Sequence, residues 1–117
     1  MPTYIDGVLQ CSDLFGGIIS AQIKEPTIKI ISPSYTASSY TVILVDDDTV
    51  GGDVLISLPD SSISTENQYT IKKLGTTGIV TIDPYLSQLI DGELIFELLE
   101  EKESIRIFCD GVNWHII

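Results

Sequence analysis

The sequence predicts an all-β domain, a small antiparallel sandwich or barrel, on three observations. β-branched residues fill 36 of 117 positions, 19 of them Ile, while Ala occurs only twice. Such side chains lose χ1 freedom in a helix but pack well on a pleated surface, which excludes an all-α architecture. Short runs of alternating apolar residues recur along the chain, and clusters of Gly, Pro, Asp and Asn separate them. The length suits one domain, able to bury roughly two-thirds of the surface of its unfolded form. A hydrophobic fraction of 44% excludes a largely disordered chain.

Residues 1–34 read differently from residues 35–117. In the first part Tyr4-Ile5-Asp6-Gly7-Val8-Leu9 reads as a short strand with a turn, and Gly16-Gly17 permits a sharp bend. Between Pro26 and Pro33, Thr27-Ile28-Lys29-Ile30-Ile31 alternates as one strand, and Ser32-Pro33-Ser34 is an extended joint. The segment is too short to close a core of its own and is expected to be an arm or docking region.

From Tyr35 onward strands and turns alternate regularly. Tyr40 to Val45 is stopped by Asp46-Asp47-Asp48 and Gly51-Gly52, and Asp53 to Leu58 is stopped by Pro59-Asp60-Ser61-Ser62. Gln68 to Lys73 leads through Gly75-Thr76-Thr77-Gly78 into Ile79 to Ile82, which reads as a hairpin closed by Asp83-Pro84. Ser104 to Cys109 and Asn113 to Ile117 flank Asp110-Gly111, the strongest two-residue turn signal in the chain. No repeat of 20–50 residues is visible.

Residues 93–103, ELIFELLEEKE, pull both ways. They are good helix formers with Leu94, Ile95, Leu98 and Leu99 on one helical face. Yet Leu94-Phe96-Leu98 also alternates with Glu93-Ile95-Glu97, and Gly92 supplies no capping side chain. Strand is favoured, ending at Leu98 or Leu99, with residues 100–103 as a solvated turn.

Seventeen acidic against six basic residues give a net charge of −11, a field that repels phosphate backbones and anionic membranes and keeps the protein dispersed. Nucleic-acid binding is not expected. Cys11 and Cys109 match no zinc or redox spacing and read as small apolar residues rather than a disulfide. No segment approaches the roughly 18 apolar residues of a membrane span, and no export signal heads the chain.

Several segments then recur in a recognisable order. They are Tyr40 to Asp46, Val54 to Pro59 (VLISLP), Tyr69 to Lys73 (YTIKK), Val80 to Pro84 (VTIDP), Ile90-Asp91-Gly92, and Asp110 to Ile117 (DGVNWHII). This set, over residues 35–117, resembles the small β-rich module of tailed-phage virion proteins, found at the ends of tail fibres, tail spikes and head fibres. The resemblance implies a homotrimer, held to other virion proteins of the capsid or tail by residues 1–34 and lying on the virion surface after synthesis in the host cytoplasm. A short chain that starts at Met1 and lacks shaft repeats favours a head fibre, capsid decoration protein or tail-tip piece over a long fibre. In a trimer the surplus Ile is expected to serve an inter-subunit core as well, and strand edges are covered by neighbours.

The pieces also have physical readings of their own. Leu58-Pro59 buries a strand end and removes the next backbone donor. Ile90 anchors the turn at Asp91-Gly92. Trp114, Ile90, Leu58 and Tyr69 are the expected core or trimer anchors. Lys72 and Lys73 are expected one on each face or at an edge, deterring edge pairing.

Catalysis finds little support. His115 is the only histidine and reads as structural, no nucleophile or phosphate-loop motif occurs, and no carboxylate pair stands out for glycoside cleavage. No enzyme, catalytic residue or cofactor is expected. Asp46, Asp47 and Asp48 are the one candidate cation cluster, but successive side chains diverge and a solvated loop is favoured. Besides the structural role, host surface polysaccharide is the alternative partner, with Tyr35, Tyr40, Tyr69 and Tyr85 beside Asp and Asn side chains as its receptor-binding surface.

Overall fold

A computed structural model describes residues 25–64 and 68–117. The strands are β1 (Thr27–Ile30), β2 (Ser34–Thr36), β3 (Val42–Val45), β4 (Val54–Ser57), β5 (Gln68–Lys73), β6 (Val80–Asp83), β7 (Phe96–Leu98), β8 (Ser104–Cys109) and β9 (Trp114–Ile116), with one helical turn, α1 (Asp47–Val50). The fold is all-β, as the β-branched composition requires.

Two sheets form the layers, one ordered β1-β3-β5-β8-β9 and the other β2-β4-β6-β7. Up to β6 the chain crosses from one sheet to the other after every strand. β1, β3 and β5 therefore stack in parallel, as do β2, β4 and β6. Beyond β6 it reverses: β7 runs antiparallel to β6, β8 to β5 and β9 to β8. The first six strands make a flattened coil of three turns, and the last three lay an antiparallel edge on both sheets.

This corrects the antiparallel expectation. Period-two alternation fixes which side chains face inward, but it is the same in parallel and antiparallel ladders and does not name the neighbouring strand. The hairpin expected from Lys73 to Ile79 is likewise an arch between sheets, since β5 and β6 never pair. The hairpin at Asp110 does form, but Cys109 faces Trp114 across it, so the connection is four residues, Asp110 to Asn113, rather than two. Residues 93–103 hold strand β7 and no helix, with Leu98 buried and Leu94, Ile95 and Leu99 exposed.

The boundary expected at residue 34 also moves. β1 pairs along its length with β3, Ile30 is buried in the core, and Ser34 already opens β2. The alternation of Thr27 to Ile30 thus serves the body of the domain. The readings made for Tyr4 to Leu9, Gly16-Gly17 and Cys11 lie outside the described residues. No helix among the described residues is long and apolar enough to cross a membrane.

The core lies between the sheets. Ile43, Val45, Ile71, Ile105, Ile107 and Trp114 enter from one side; Val54, Ile56, Val80, Ile82 and Leu98 enter from the other. Branched side chains on facing pleats fill a layer about 10 Å thick with little rotamer entropy to lose.

Candidate functional site

The three consecutive aspartates sit where β3 passes toward β4, and each carboxylate has a different task. Asp46 caps α1: its Oδ1 accepts from Thr49 N at 3.1 Å and its Oδ2 from the Thr49 hydroxyl at 2.8 Å. Lys29 Nζ stands 3.6 Å from the same Oδ2. The Thr49 hydroxyl and N–H, with Lys29, hold the Asp46 carboxyl below its ordinary range. Gly51, at φ 83°, closes the helical turn by donating its N–H to Asp47 O.

Asp47 turns inward. Its Oδ1 accepts from Gly75 N at 2.8 Å, and its Oδ2 accepts from Gly78 N at 2.9 Å. Lys73 Nζ lies 3.0 Å from Oδ2, and both side chains are fully buried. Lys73 also donates to Gly75 O. Burial pushes the Asp47 carboxyl up, but the Gly78 N–H, the Lys73 ammonium and the Gly75 N–H outweigh it and hold the group below its ordinary range. Asp48 takes the middle of the same arch: its Oδ1 accepts from Thr76 N at 3.0 Å, Thr77 N at 3.1 Å and the Thr77 hydroxyl. Led by that hydroxyl and the Thr76 N–H, these bonds hold Asp48 low against the charge of Asp47.

Four successive backbone donors, Gly75 to Gly78, thus end on two carboxylates from the preceding turn of the coil. An arch between sheets has no ladder partner for these groups, so the side chains supply the acceptors. Close approach requires glycine at Gly78, where a Cβ would strike the Gly52 carbonyl, and favours it at Gly75, where a Cβ would meet the end of the Asp48 side chain.

The opposite end carries a second aspartate-held turn. Asp110 Oδ1 accepts from Val112 N at 2.8 Å and Asn113 N at 2.7 Å, and its Oδ2 lies 2.6 Å from His115 Nε2. The Asn113 N–H, the His115 side chain and the Val112 N–H hold this exposed carboxyl well below its ordinary range. His115 Nδ1 is 3.7 Å from Asp91 Oδ1, so the imidazole stands between two carboxylates on the surface. Asp91 and Gly92, at φ 48° and 83°, form a tight turn in which Ile90 and Glu93 exchange both backbone bonds. Asn113 Oδ1 accepts from Leu89 N, and the Ser61 hydroxyl donates to Asn113 O, which ties the β4 exit to the closing turn. Asp60 accepts from Ser62 N–H and hydroxyl and from Gln88 Nε2, which hold it low in that order.

The four expected anchors are all buried inside a single chain: Trp114 at 0%, Ile90 and Tyr69 at 1% and Leu58 at 2% exposure. The Tyr69 and Trp114 rings meet at a 44° tilt with 5.8 Å between centroids, and the Ile90 backbone bridges to Trp114. The Tyr69 hydroxyl donates to Ser38 O at 2.6 Å, whereas Trp114 Nε1 is buried without a hydrogen-bond partner. The area the indole buries outweighs the cost of that one donor. Of the tyrosines expected to line a receptor surface, Tyr69 is in the core and Tyr35 packs against it, leaving Tyr40 and Tyr85 exposed. A cleft of about 330 Å³ opens beside Tyr69, Asp60 and Ile63.

Sequence reasoning missed the Asp47–Lys73 pair. Lys72 and Lys73 are expected one on each face or at an edge, but alternation from Tyr69 and Ile71 leaves only Lys72 outward and turns Lys73 into the core. That alternation was the signal available, and charge overrode it. Chemically, the three carboxylates act as acceptors for backbone and for one ammonium. Among the described residues no three His, Cys, Asp or Glu side chains converge as a metal-ligand set. Cys109 is half-buried in β8. The chain matches no protein-family model and no curated protein.

Proposed function

We propose that this chain is a structural protein of a tailed-phage particle, a homotrimeric head-fibre, capsid-decoration or tail-fibre type module that projects from the virion. One observation carries the reading: the ordered segments of the resemblance coincide with the framework of the fold. VLISLP is β4 and its buried end, YTIKK is β5, VTIDP is β6 and its stop, Ile90-Asp91-Gly92 is the tight turn, and DGVNWHII is the closing turn with β9. Motifs that build joints and strand ends, rather than a pocket of reactive groups, suit a protein whose work is to hold a shape. With β1 and β2 in the body of the domain, attachment to the particle falls to the chain that precedes β1.

The short edge strands support the oligomer. β2 and β7 hold three residues each at the borders of their sheet, and β1 and β9 border the other. Short borders limit uncontrolled pairing and leave contacts to specific surfaces. The test is electron microscopy of particles with and without the protein, with subunit count. Three-fold density lost from head or tail in its absence is the expected result. A protein that is absent from particles, or a stable soluble monomer, would overturn the reading.

A further inference from the structure

The two outer faces of the sandwich differ in sign. On the five-stranded sheet the outward strand positions hold Lys29, Lys72, Arg106 and His115 and no Asp or Glu. On the four-stranded sheet they hold Asp83 and Glu97 and no Lys or Arg. Three of the six basic residues of an acidic chain thus share one face. Lys29 is tied to Asp46, His115 to Asp91 and Asp110, and the buried Lys73 to Asp47. Lys72 and Arg106 enter no ion pair among the described residues.

The ladder register places these two cations. Lys72 lies across from Ser104, and Arg106 lies across from Thr70. Each cation therefore has a hydroxyl beside it, and the two form a diagonal of about 7–8 Å on adjacent strands. β9 pairs only with Ile107 to Cys109, so the border beside the first half of β8 is left open. There a cleft of about 530 Å³ is lined by Thr70, Ser104 and Arg106 and walled by Ile105, Ile116 and Ile117. Ligand sites commonly hold roughly 300–1,000 Å³.

We propose that this face binds a carboxylated polysaccharide, with one sugar-acid carboxylate on the Arg106 guanidinium at the cleft and the next negative charge on Lys72. The guanidinium offers a planar fork of donors that a carboxylate matches with two parallel bonds. The Thr70 and Ser104 hydroxyls donate to or accept from sugar hydroxyls, and the isoleucine walls suit the C–H face of a sugar ring. Two observations select a sugar chain over a protein or a nucleic acid. Among the described residues none of the large exposed apolar side chains occupies a strand position of this face, so it lacks the apolar centre of a protein interface. Its unpaired cations are two and set apart, whereas a duplex carries a charge every roughly 1.7 Å and calls for a dense basic patch. The net charge of −11 does not prevent the contact. The outward carboxylates of Asp83 and Glu97 lie across two layers about 10 Å apart, beyond the roughly 8 Å screening length of physiological salt. The surface differs from the tyrosine surface expected from the sequence, of which Tyr69 and Tyr35 lie in or against the core. The inference goes beyond the structural role proposed above and does not rest on it.

Surface plasmon resonance of the full chain over immobilised alginate and hyaluronate, two carboxylated polysaccharides, tests it, with carboxyl-reduced alginate and dextran as uncharged controls. Wild type is expected to bind both carboxylated chains, more weakly as salt rises, and neither control. Lys72→Gln/Arg106→Gln, checked for folding by circular dichroism, is expected to bind at least about tenfold more weakly, the loss of one charge-assisted contact. Lys102→Gln, in the turn between β7 and β8, is expected to bind like wild type. No binding of wild type to either carboxylated chain would overturn the proposal and leave the structural role untouched. Equal binding by the folded double variant, or equal binding of wild type to carboxyl-reduced alginate, would do the same. Tighter binding to polyphosphate than to alginate, lost in the double variant, would give the face to a phosphate polymer instead.

Discussion

At one end of the five-stranded sheet Asp47 and Asp48 hold the arch between β5 and β6; at the other Asp110 holds the turn between β8 and β9. Residue type and bond type are the same in both places: a carboxylate accepting successive backbone N–H groups. The environment differs. Asp47 is sealed with Lys73 in the core, while Asp110 and His115 are well exposed to solvent. Water competes for the donors of the Asp110 turn and screens its charge, so losing that carboxylate costs little. Around Asp47 no water replaces the lost acceptor, and Lys73 is left charged and unpaired.

The largest expected effect follows from that contrast. Asp47→Ala is expected to cost about 3–5 kcal/mol, the cost of breaking a buried pair from one side. Against a typical domain stability of about 5–15 kcal/mol, this brings the protein near unfolding. Asp110→Ala is expected to move the urea midpoint far less. Equal shifts in the two urea titrations would show that burial does not separate the two ends.

A second comparison lies within the arch. A methyl group on Gly78 meets the Gly52 backbone, which moves only with the start of β4, whereas one on Gly75 meets the end of the Asp48 side chain, which can swing aside. Gly78→Ala is expected to lose about 1–3 kcal/mol, the usual range for forced overpacking. Gly75→Ala is expected to lose less and to loosen residues Thr76 and Thr77. Amide hydrogen exchange across the arch reads both, and the reverse order would mean that the Asp48 carboxylate is the more rigid neighbour.

The smallest effect at neutral pH, and a growing one in acid, concerns titration. The folded carboxyls of Asp46, Asp47, Asp48 and Asp110 lie below the ordinary carboxylate range. Between the folded and unfolded values the unfolded chain binds more protons, so stability rises with pH in that window. Their contribution is complete above about pH 4 and is lost as pH falls through the folded values. Urea midpoints are therefore expected to be flat near neutrality and to drop below about pH 4. Asp47→Asn and Asp110→Asn are each expected to flatten that acid limb, and an acid limb unchanged by either variant would remove these groups as its cause.

Much of the framework was legible in the chain because it is set locally. The positions of β1 and of β3 to β9, the stop at Leu58-Pro59, the turn at Asp91-Gly92 and the strand in residues 93–103 follow from side-chain branching, alternation and turn chemistry, whereas β2 stands where an extended joint is expected. The inward direction of Trp114, Ile90, Leu58 and Tyr69 follows from the same pattern. The arch was not legible, because its acceptors stand 28 to 31 residues before their donors, at Asp47 and Asp48 for Gly75 to Gly78. Nothing in Gly75-Thr76-Thr77-Gly78 distinguishes a hairpin turn from an arch until the neighbouring strands are known.

By itself, then, the sequence determined the class, the strands and the faces they bury, since these depend on each residue's own branching, polarity and nearest neighbours. Only the tertiary structure decided that the strands coil in parallel before reversing, and that a lysine belongs in the core. It also decided that a run of three aspartates is an internal brace and that opposite charges gather on opposite faces. Those outcomes depend on which distant segments meet, and the free energy of a buried charge or an arch donor is set by that meeting.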